Sequence, residues 1–141
     1  MSMSQINITI DGRPVQAPAG TSVLQAAQAA GARVPTLCYH PDLTVRAVCR
    51  ICMVEVKGAR TLQAACSDPV SPGLEIKTTS PRIRAARKAN LELLLSNHPF
   101  ECPTCNRNQN CELRELAHEY NITQIRFQGE RKQHAVDDSS P

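Results

Sequence analysis

The sequence predicts an α+β fold in two parts, a small mixed sheet with one helix followed by a short helical segment that carries cysteines. Three observations lead there. Alternating polar and apolar runs recur through the first half. Apolar stripes of helical period with start and stop signals occur once in the first half and twice in the second. All seven cysteines of the 141 residues fall in loops or at element ends, in two separate groups.

The first strand is Gln5-Ile6-Asn7-Ile8-Thr9-Ile10, which alternates strictly. Asp11-Gly12 is a hairpin turn signal, and Arg13-Pro14-Val15-Gln16-Ala17 returns as a short edge strand. Ser22 with Gln25 forms a capping box. Val23, Ala26, Ala27 and Ala30 then make one helical stripe, which Gly31 closes. Residues 34–52 show no period and read as a long functional loop. Met53-Val54-Glu55-Val56 is a strand, Lys57-Gly58 turns it, and Thr61-Leu62-Gln63-Ala64-Ala65 pairs back to deliver Cys66. After the turn Ser71-Pro72-Gly73, Leu74–Thr78 is the last strand.

Ser80-Pro81 opens the second part, with Ser as cap and Pro at the first helical position. This helix is expected to run to about Asn97, with Ile83, Ala86, Leu93 and Leu94 on one face and Arg84 and Lys88 on the other, with Leu91 and Leu95 nearby. A cysteine-rich turn follows, then a second stripe of Leu113, Leu116, Ala117 and Tyr120. The pattern divides the chain into domains 1–79 and 80–122, with 123–141 a polar tail or linker.

Composition narrows the class. The chain is 41% hydrophobic but has no Trp, two Tyr and two Phe, so its cores are short of aromatic area. Metals supply the missing stability in many small domains. An odd cysteine count fits a pure disulfide framework poorly. No apolar run reaches the roughly 20 residues of a membrane span, and the start has no signal-peptide pattern, so a reducing cytoplasm is the expected compartment. There cysteine clusters mean metal or redox chemistry.

Cys38, Cys49, Cys52 and Cys66 form the first constellation, spaced C-x10-C-x2-C-x13-C. Three lie in the aperiodic loop, where backbone N–H groups are free to bond cluster sulfides. The C-x2-C pair lets two sulfurs bind neighbouring positions of one site. A [2Fe–2S] cluster fits best. Zinc remains open, although zinc knuckles usually pair two C-x2-C units and here the partners are split. A Rieske centre needs two histidines, and although Cys38-Tyr39-His40 supplies one, Cys49-Arg50-Ile51-Cys52 supplies none. His40 is expected to be a surface residue.

His98, Cys102, Cys105 and Cys111 form the second, spaced H-x3-C-x2-C-x5-C. Three thiolates are one short of four. His98 ends the preceding helix, and Pro99 drives it out of helical geometry. Zinc and [4Fe–4S] both suit this set; the first site favours [4Fe–4S], because electron carriers need a chain of centres. His118 and His134 lie outside both groups and read as solvated. The formal charge of +3 hints at acidic partners. Two ligated clusters of these kinds together carry about three negative charges and offset it. No nucleic-acid partner is expected, and aromatics are too few for a stacking platform.

Together the two constellations resemble the N-terminal iron–sulfur region of [FeFe]-hydrogenases, including the subunits of multimeric NAD(P)-linked hydrogenases. The same pair opens the large iron–sulfur subunit of NADH–quinone oxidoreductase and the small diaphorase subunit of NAD-reducing hydrogenases. The matching stretches are Pro35-Thr36-Leu37-Cys38, Cys49-Arg50-Ile51-Cys52-Met53-Val54-Glu55-Val56, Ala65-Cys66-Ser67-Asp68-Pro69-Val70, Asn97-His98-Pro99-Phe100-Glu101-Cys102-Pro103-Thr104-Cys105 and Asn110-Cys111-Glu112-Leu113. The resemblance covers nearly the whole chain. It implies a β-grasp ferredoxin domain holding [2Fe–2S] on Cys38, Cys49, Cys52 and Cys66. It also implies a small helical domain holding [4Fe–4S] on His98, Cys102, Cys105 and Cys111. The family often has Gly two residues before its second cysteine where this chain has Ala47, which strains the loop if that residue needs positive φ. [FeFe]-hydrogenases continue into further clusters and a catalytic domain, whereas no cysteine follows Cys111 here.

The expected function is electron transfer as a subunit or N-terminal part of a hydrogenase or NAD(P)H-linked oxidoreductase, with other redox subunits or domains as partners and no membrane insertion. The alternative is a zinc-stabilised interaction module. No Gly-rich phosphate loop or nucleotide motif is present, so substrate turnover is not expected on this chain.

Overall fold

The computed structural model describes residues 4–130 and Ser139. His134 and most of the expected tail after Glu130 lie outside the described residues. The chain divides into two compact units between Asn90 and Leu91.

The first unit is built on a five-stranded mixed sheet of β1 (Gln5–Ile10), β2 (Arg13–Pro18), β3 (Met53–Val56), β4 (Gln63–Ala64) and β5 (Glu75–Lys77), ordered β2-β1-β5-β3-β4. β1 and β2 pair antiparallel with Ile8 opposite Val15. β5 lies parallel to β1, with Ile10 beside Ile76, and antiparallel to β3. The long path from β1 to its parallel neighbour β5 leaves room for helix α1 (Val23–Ala29), the layered arrangement of a β-grasp. The hairpin turn takes its shape from Asp11 at φ 49° and Gly12 at φ 78°, both left-handed as a two-residue hairpin loop requires. The capping box is present: the Gln25 N–H donates to Ser22 Oγ, and the Ser22 N–H donates to Gln25 Oε1. Gly31 ends α1 at φ 75°, its N–H on the Gln28 carbonyl and the Ala32 N–H on the Ala27 carbonyl. The alternating residues Ile8, Ile10, Val54 and Ile76 meet Val23, Leu24, Ala26 and Ala27 in the core.

Strands β4 and β5 are shorter than their patterns predict. The Ala65 N–H donates to the Cys52 carbonyl and the Ala65 carbonyl accepts from Leu24. The first bond continues the β3–β4 register by one residue, and the second ties the chain that leads to Cys66 to α1.

Helix α2 spans Pro81–Ser96, capped by Ser80, whose Oγ accepts from the Ile83 N–H. Its buried stripe corrects the expected one. Ile83, Arg87, Leu91 and Leu95, spaced four apart, are buried, whereas Leu93 and Leu94 are 48% and 39% exposed. The apolar count misleads because Arg87 sits in mid-stripe. Its Nη2 donates to the Met53 and Thr78 carbonyls at 2.7 and 3.1 Å, so a cation occupies a core position by satisfying buried backbone.

The second unit contains a short 3-10 turn, Cys102–Thr104, and helix α3 (Glu112–Glu119). α3 buries Leu116, and Tyr120 behind it. Asn121, at φ 48°, closes α3, with its own N–H on the His118 carbonyl and the Ile122 N–H on the Ala117 carbonyl. Among the described residues no helix is long and apolar enough to cross a membrane.

Asp11 does more than turn the hairpin. Its carboxylate accepts from the Thr78 N–H at 2.8 Å and from the Thr78 hydroxyl at 2.6 Å, joining the turn to the end of β5. Asp11→Ala should lower stability by about 1–3 kcal/mol, and Asp11→Asn, which keeps one acceptor and tolerates the left-handed turn, should cost less. An unchanged urea midpoint for Asp11→Ala would contradict this role.

Candidate metal centres

The first group of cysteines is assembled by the sheet and the loop together. Cys52 leads directly into β3 and Cys66 follows β4. The register Met53 opposite Ala64, continued by the Ala65–Cys52 backbone bond, brings these two side by side. Cys38 and Cys49 come from the loop. Ile51, fully buried between Cys49 and Cys52, pins the C-x2-C pair to the unit. Asn90 on α2 donates to the Arg50 carbonyl at 2.8 Å. The loop turns through two left-handed residues, Ala47 at φ 51° and Arg50 at φ 54°, which direct successive N–H groups inward.

Those N–H groups act on the sulfurs. Burial works to raise the Cys38 thiol, but hydrogen bonds from the Cys49 and Val48 N–H groups and from the Cys49 thiol outweigh it, and Cys38 sits below its ordinary value. Cys49 moves up, chiefly through burial, although the Ile51, Leu37 and Cys38 N–H groups oppose the rise. Cys66 is pushed up to about 12 by burial, by its hydrogen bond with Cys52, and by the charges of Cys52, Cys38 and Cys49. All four sulfurs therefore feel one another. Any cation bound by Cys66 must displace its proton, and a cationic core reverses the repulsion that holds the proton there. Four crowded thiols with several N–H donors aimed at sulfur fit a [2Fe–2S] core.

In the second unit His98, Cys102, Cys105 and Cys111 line a single cavity of about 180 Å³, together with Pro99, Glu101, Thr104, Asn108 and Arg114. The His98 N–H donates to the Leu95 carbonyl at 3.0 Å, so His98 continues the last turn of α2. Its ring meets Phe100 edge to face at 5.9 Å. Phe100, at φ 56°, reverses the chain into the Cys102–Thr104 turn. The Arg107 N–H donates to Cys105 Sγ at 3.4 Å. Cys111 stands at the N-cap of α3 with no capping bond from its side chain. Three thiols, an imidazole and an N–H aimed at sulfur around one open space fit a [4Fe–4S] core.

Among the described residues, no three His, Cys, Asp or Glu side chains are placed to hold a single metal ion. Of the remaining histidines, His40 is exposed, its Nδ1 accepting from the Asp42 N–H, and His118 is exposed on α3. Three contributors escaped the sequence analysis: the N–H donors around Cys38 and Cys49, Asn90 behind the loop, and Arg114 in the cavity wall. Backbone donors carry no sequence signal. Arg114 sits one residue past the Leu113 stripe position and looks like an ordinary solvated cation; its guanidinium is held by the Asn108 carbonyl and side-chain oxygens.

Comparison with known proteins follows the same division. A family model described as a 2Fe-2S iron–sulfur cluster binding domain matches residues 3–81, and one described as the NADH-ubiquinone oxidoreductase-G iron–sulfur binding region matches residues 87–126. The chain is 40% identical to the mitochondrial NADH-ubiquinone oxidoreductase 78 kDa subunit of Candida albicans, over 89% of this chain and 17% of that protein. It is also 40% identical to the NADP-reducing hydrogenase subunit HndD of Solidesulfovibrio fructosivorans, over 98% of this chain and 24% of that protein. It thus spans under a quarter of these relatives. Among solved structures it resembles a chain of an NAD+-reducing [NiFe]-hydrogenase in the H2-reduced state, with a TM-score of 0.87 and 33% identity over 98% of this chain and 58% of that one.

The loop geometry has a measurable consequence. An alanine in the left-handed region is strained where glycine is not. Ala47→Gly should raise stability by about 0.5–1 kcal/mol, after allowing for glycine's greater unfolded-state entropy. A lower urea midpoint in the variant would contradict the strain.

Proposed function

Because this chain belongs to the family of 2Fe-2S iron–sulfur cluster binding domains, with an iron–sulfur binding region of the NADH-ubiquinone oxidoreductase-G type behind it, we propose that it relays single electrons between two clusters. Cys38, Cys49, Cys52 and Cys66 hold [2Fe–2S] in a domain over residues 1–79. His98, Cys102, Cys105 and Cys111 hold [4Fe–4S] in a domain over residues 80–122. The observation that carries this reading is the sorting of the seven cysteines: four sulfurs gathered beside one another in the first unit, three around one cavity with His98 in the second.

The clusters supply one-electron chemistry; the protein's residues hold and tune them. The Cys49 and Val48 N–H groups stabilise negative charge on Cys38, and the Arg107 N–H does the same at Cys105. Such bonds favour the reduced, more negative cluster. A neutral imidazole from His98 leaves its cluster one charge less negative than four thiolates would, which also eases reduction. Held by Cys38, Cys49, Cys52 and Cys66 and by His98, Cys102, Cys105 and Cys111, the two clusters would supply one-electron transfer, and these residues would set how readily each takes up an electron. The partners are the flanking redox subunits or domains of a hydrogenase or NAD(P)H dehydrogenase. The compartment is the cytoplasm, where free thiols stay reduced.

Two single variants test the assignment. Cys49→Ser should abolish the [2Fe–2S] EPR signal and spare the other, and Cys105→Ser should do the reverse. Loss of both signals from either change, in protein that keeps its helical circular dichroism, would overturn the division into two sites.

A further inference from the structure

Among the described residues after α3 there is no helix or strand, yet residues 121–130 approach α2 at two points within the second unit. Asn121 reverses the chain at the end of α3. Five residues on, Arg126 Nε donates to Glu92 Oε2 at 2.6 Å. The Glu92 carboxylate is only 1% exposed while Arg126 is 64% exposed, so an outer cation reaches in to a buried anion. The guanidinium also lies 5.5 Å from the centre of the Phe127 ring, which restricts its path. Gly129 is the second point. A Cβ there would lie 2.6 Å from Asn97 Oδ1 and 2.9 Å from both the carbonyl oxygen and Oγ of Ser96. Only a residue without a side chain can approach that closely.

These contacts bracket the turn that presents His98. Ser96 and Asn97 immediately precede it, Glu92 lies one and a half turns earlier, and the His98 N–H is bonded to the Leu95 carbonyl. The last turn of a helix has free carbonyls and frays unless something holds it. Here the buried charge makes the hold strong, because Glu92 without its partner is a desolvated carboxylate. We propose that residues 122–130 are a strap, with Arg126, Glu92 and Gly129 as positioning residues that fix His98 as the nitrogen ligand of the [4Fe–4S] cluster. This rests on the reading above that His98 is a ligand.

The test follows iron loss to an Fe(II) chelator from the dithionite-reduced, anaerobically purified chain, with the [2Fe–2S] EPR signal of the same sample as an internal control of folding. Arg126→Ala and Gly129→Ala should release the [4Fe–4S] iron at least tenfold faster than the unmodified chain and weaken the imidazole nitrogen coupling seen by pulsed EPR. Arg126→Lys, which keeps the cation, should restore the rate to within about threefold, and the [2Fe–2S] signal should be unchanged throughout. Rates and nitrogen coupling equal to those of the unmodified chain in both Arg126→Ala and Gly129→Ala would overturn the strap while leaving the cluster assignment standing. Simultaneous loss of the [2Fe–2S] signal would overturn it too, by showing a general effect on folding. His98→Ala separates the two levels: if it leaves the [4Fe–4S] spectrum and release rate unchanged, His98 is not a ligand and the strap falls with it.

Discussion

Four thiols that must all become negative cannot share one partly buried place unless a cation sits among them. That constraint organises the first unit. Cys66 is pushed up to about 12 first by burial and then by the three other sulfurs beside it, and the neighbouring N–H groups hold Cys38 below its ordinary range. The loop backbone stabilises charge and the side chains repel it, and a positively charged inorganic core resolves the conflict. The sheet exists at this spot to hold the parts in place. It sets Cys52 and Cys66 side by side through the β3–β4 register, and it gives Ile51 a core to enter.

The second unit is built with less core. His98 and its three cysteines surround a cavity walled by a 3-10 turn, a reversal at Phe100 and the start of α3, with little apolar burial among the described residues beyond Leu91, Leu95, Leu116 and Tyr120. So little core leaves a unit of this size short of stability from packing alone. In the proposed reading the cluster contributes that stability, and the Arg126–Glu92 pair secures the helix end from which His98 projects.

Most of the fold was legible because its signals are local. Asp11-Gly12, the Ser22–Gln25 box, Gly31 and Ser80-Pro81 each specify a backbone conformation within four residues, and each occurs where the sequence indicates. The two groupings of side chains were legible too, because their spacing is a sequence property: Cys38, Cys49, Cys52 and Cys66 lie together in the first unit, and His98, Cys102, Cys105 and Cys111 line one cavity in the second. What escaped depends on distant partners. Arg87 looks like a surface cation until the Met53 and Thr78 carbonyls are seen to need donors, and so the buried face of α2 was misassigned towards Leu93 and Leu94. Arg126 and Gly129 belong to a polar stretch without a period, and only the positions of Glu92, Ser96 and Asn97 give them meaning. The positive φ of Ala47 was visible only as a departure from a family glycine.

The central claim is that the eight donors hold iron–sulfur cores rather than single ions, and metal analysis of anaerobically purified protein tests it most directly. The account predicts about six irons per chain, two in one core and four in the other, with matching inorganic sulfide, and a brown spectrum that bleaches with dithionite. A colourless chain that binds two zinc ions and still rejects iron and sulfide on reconstitution would contradict it.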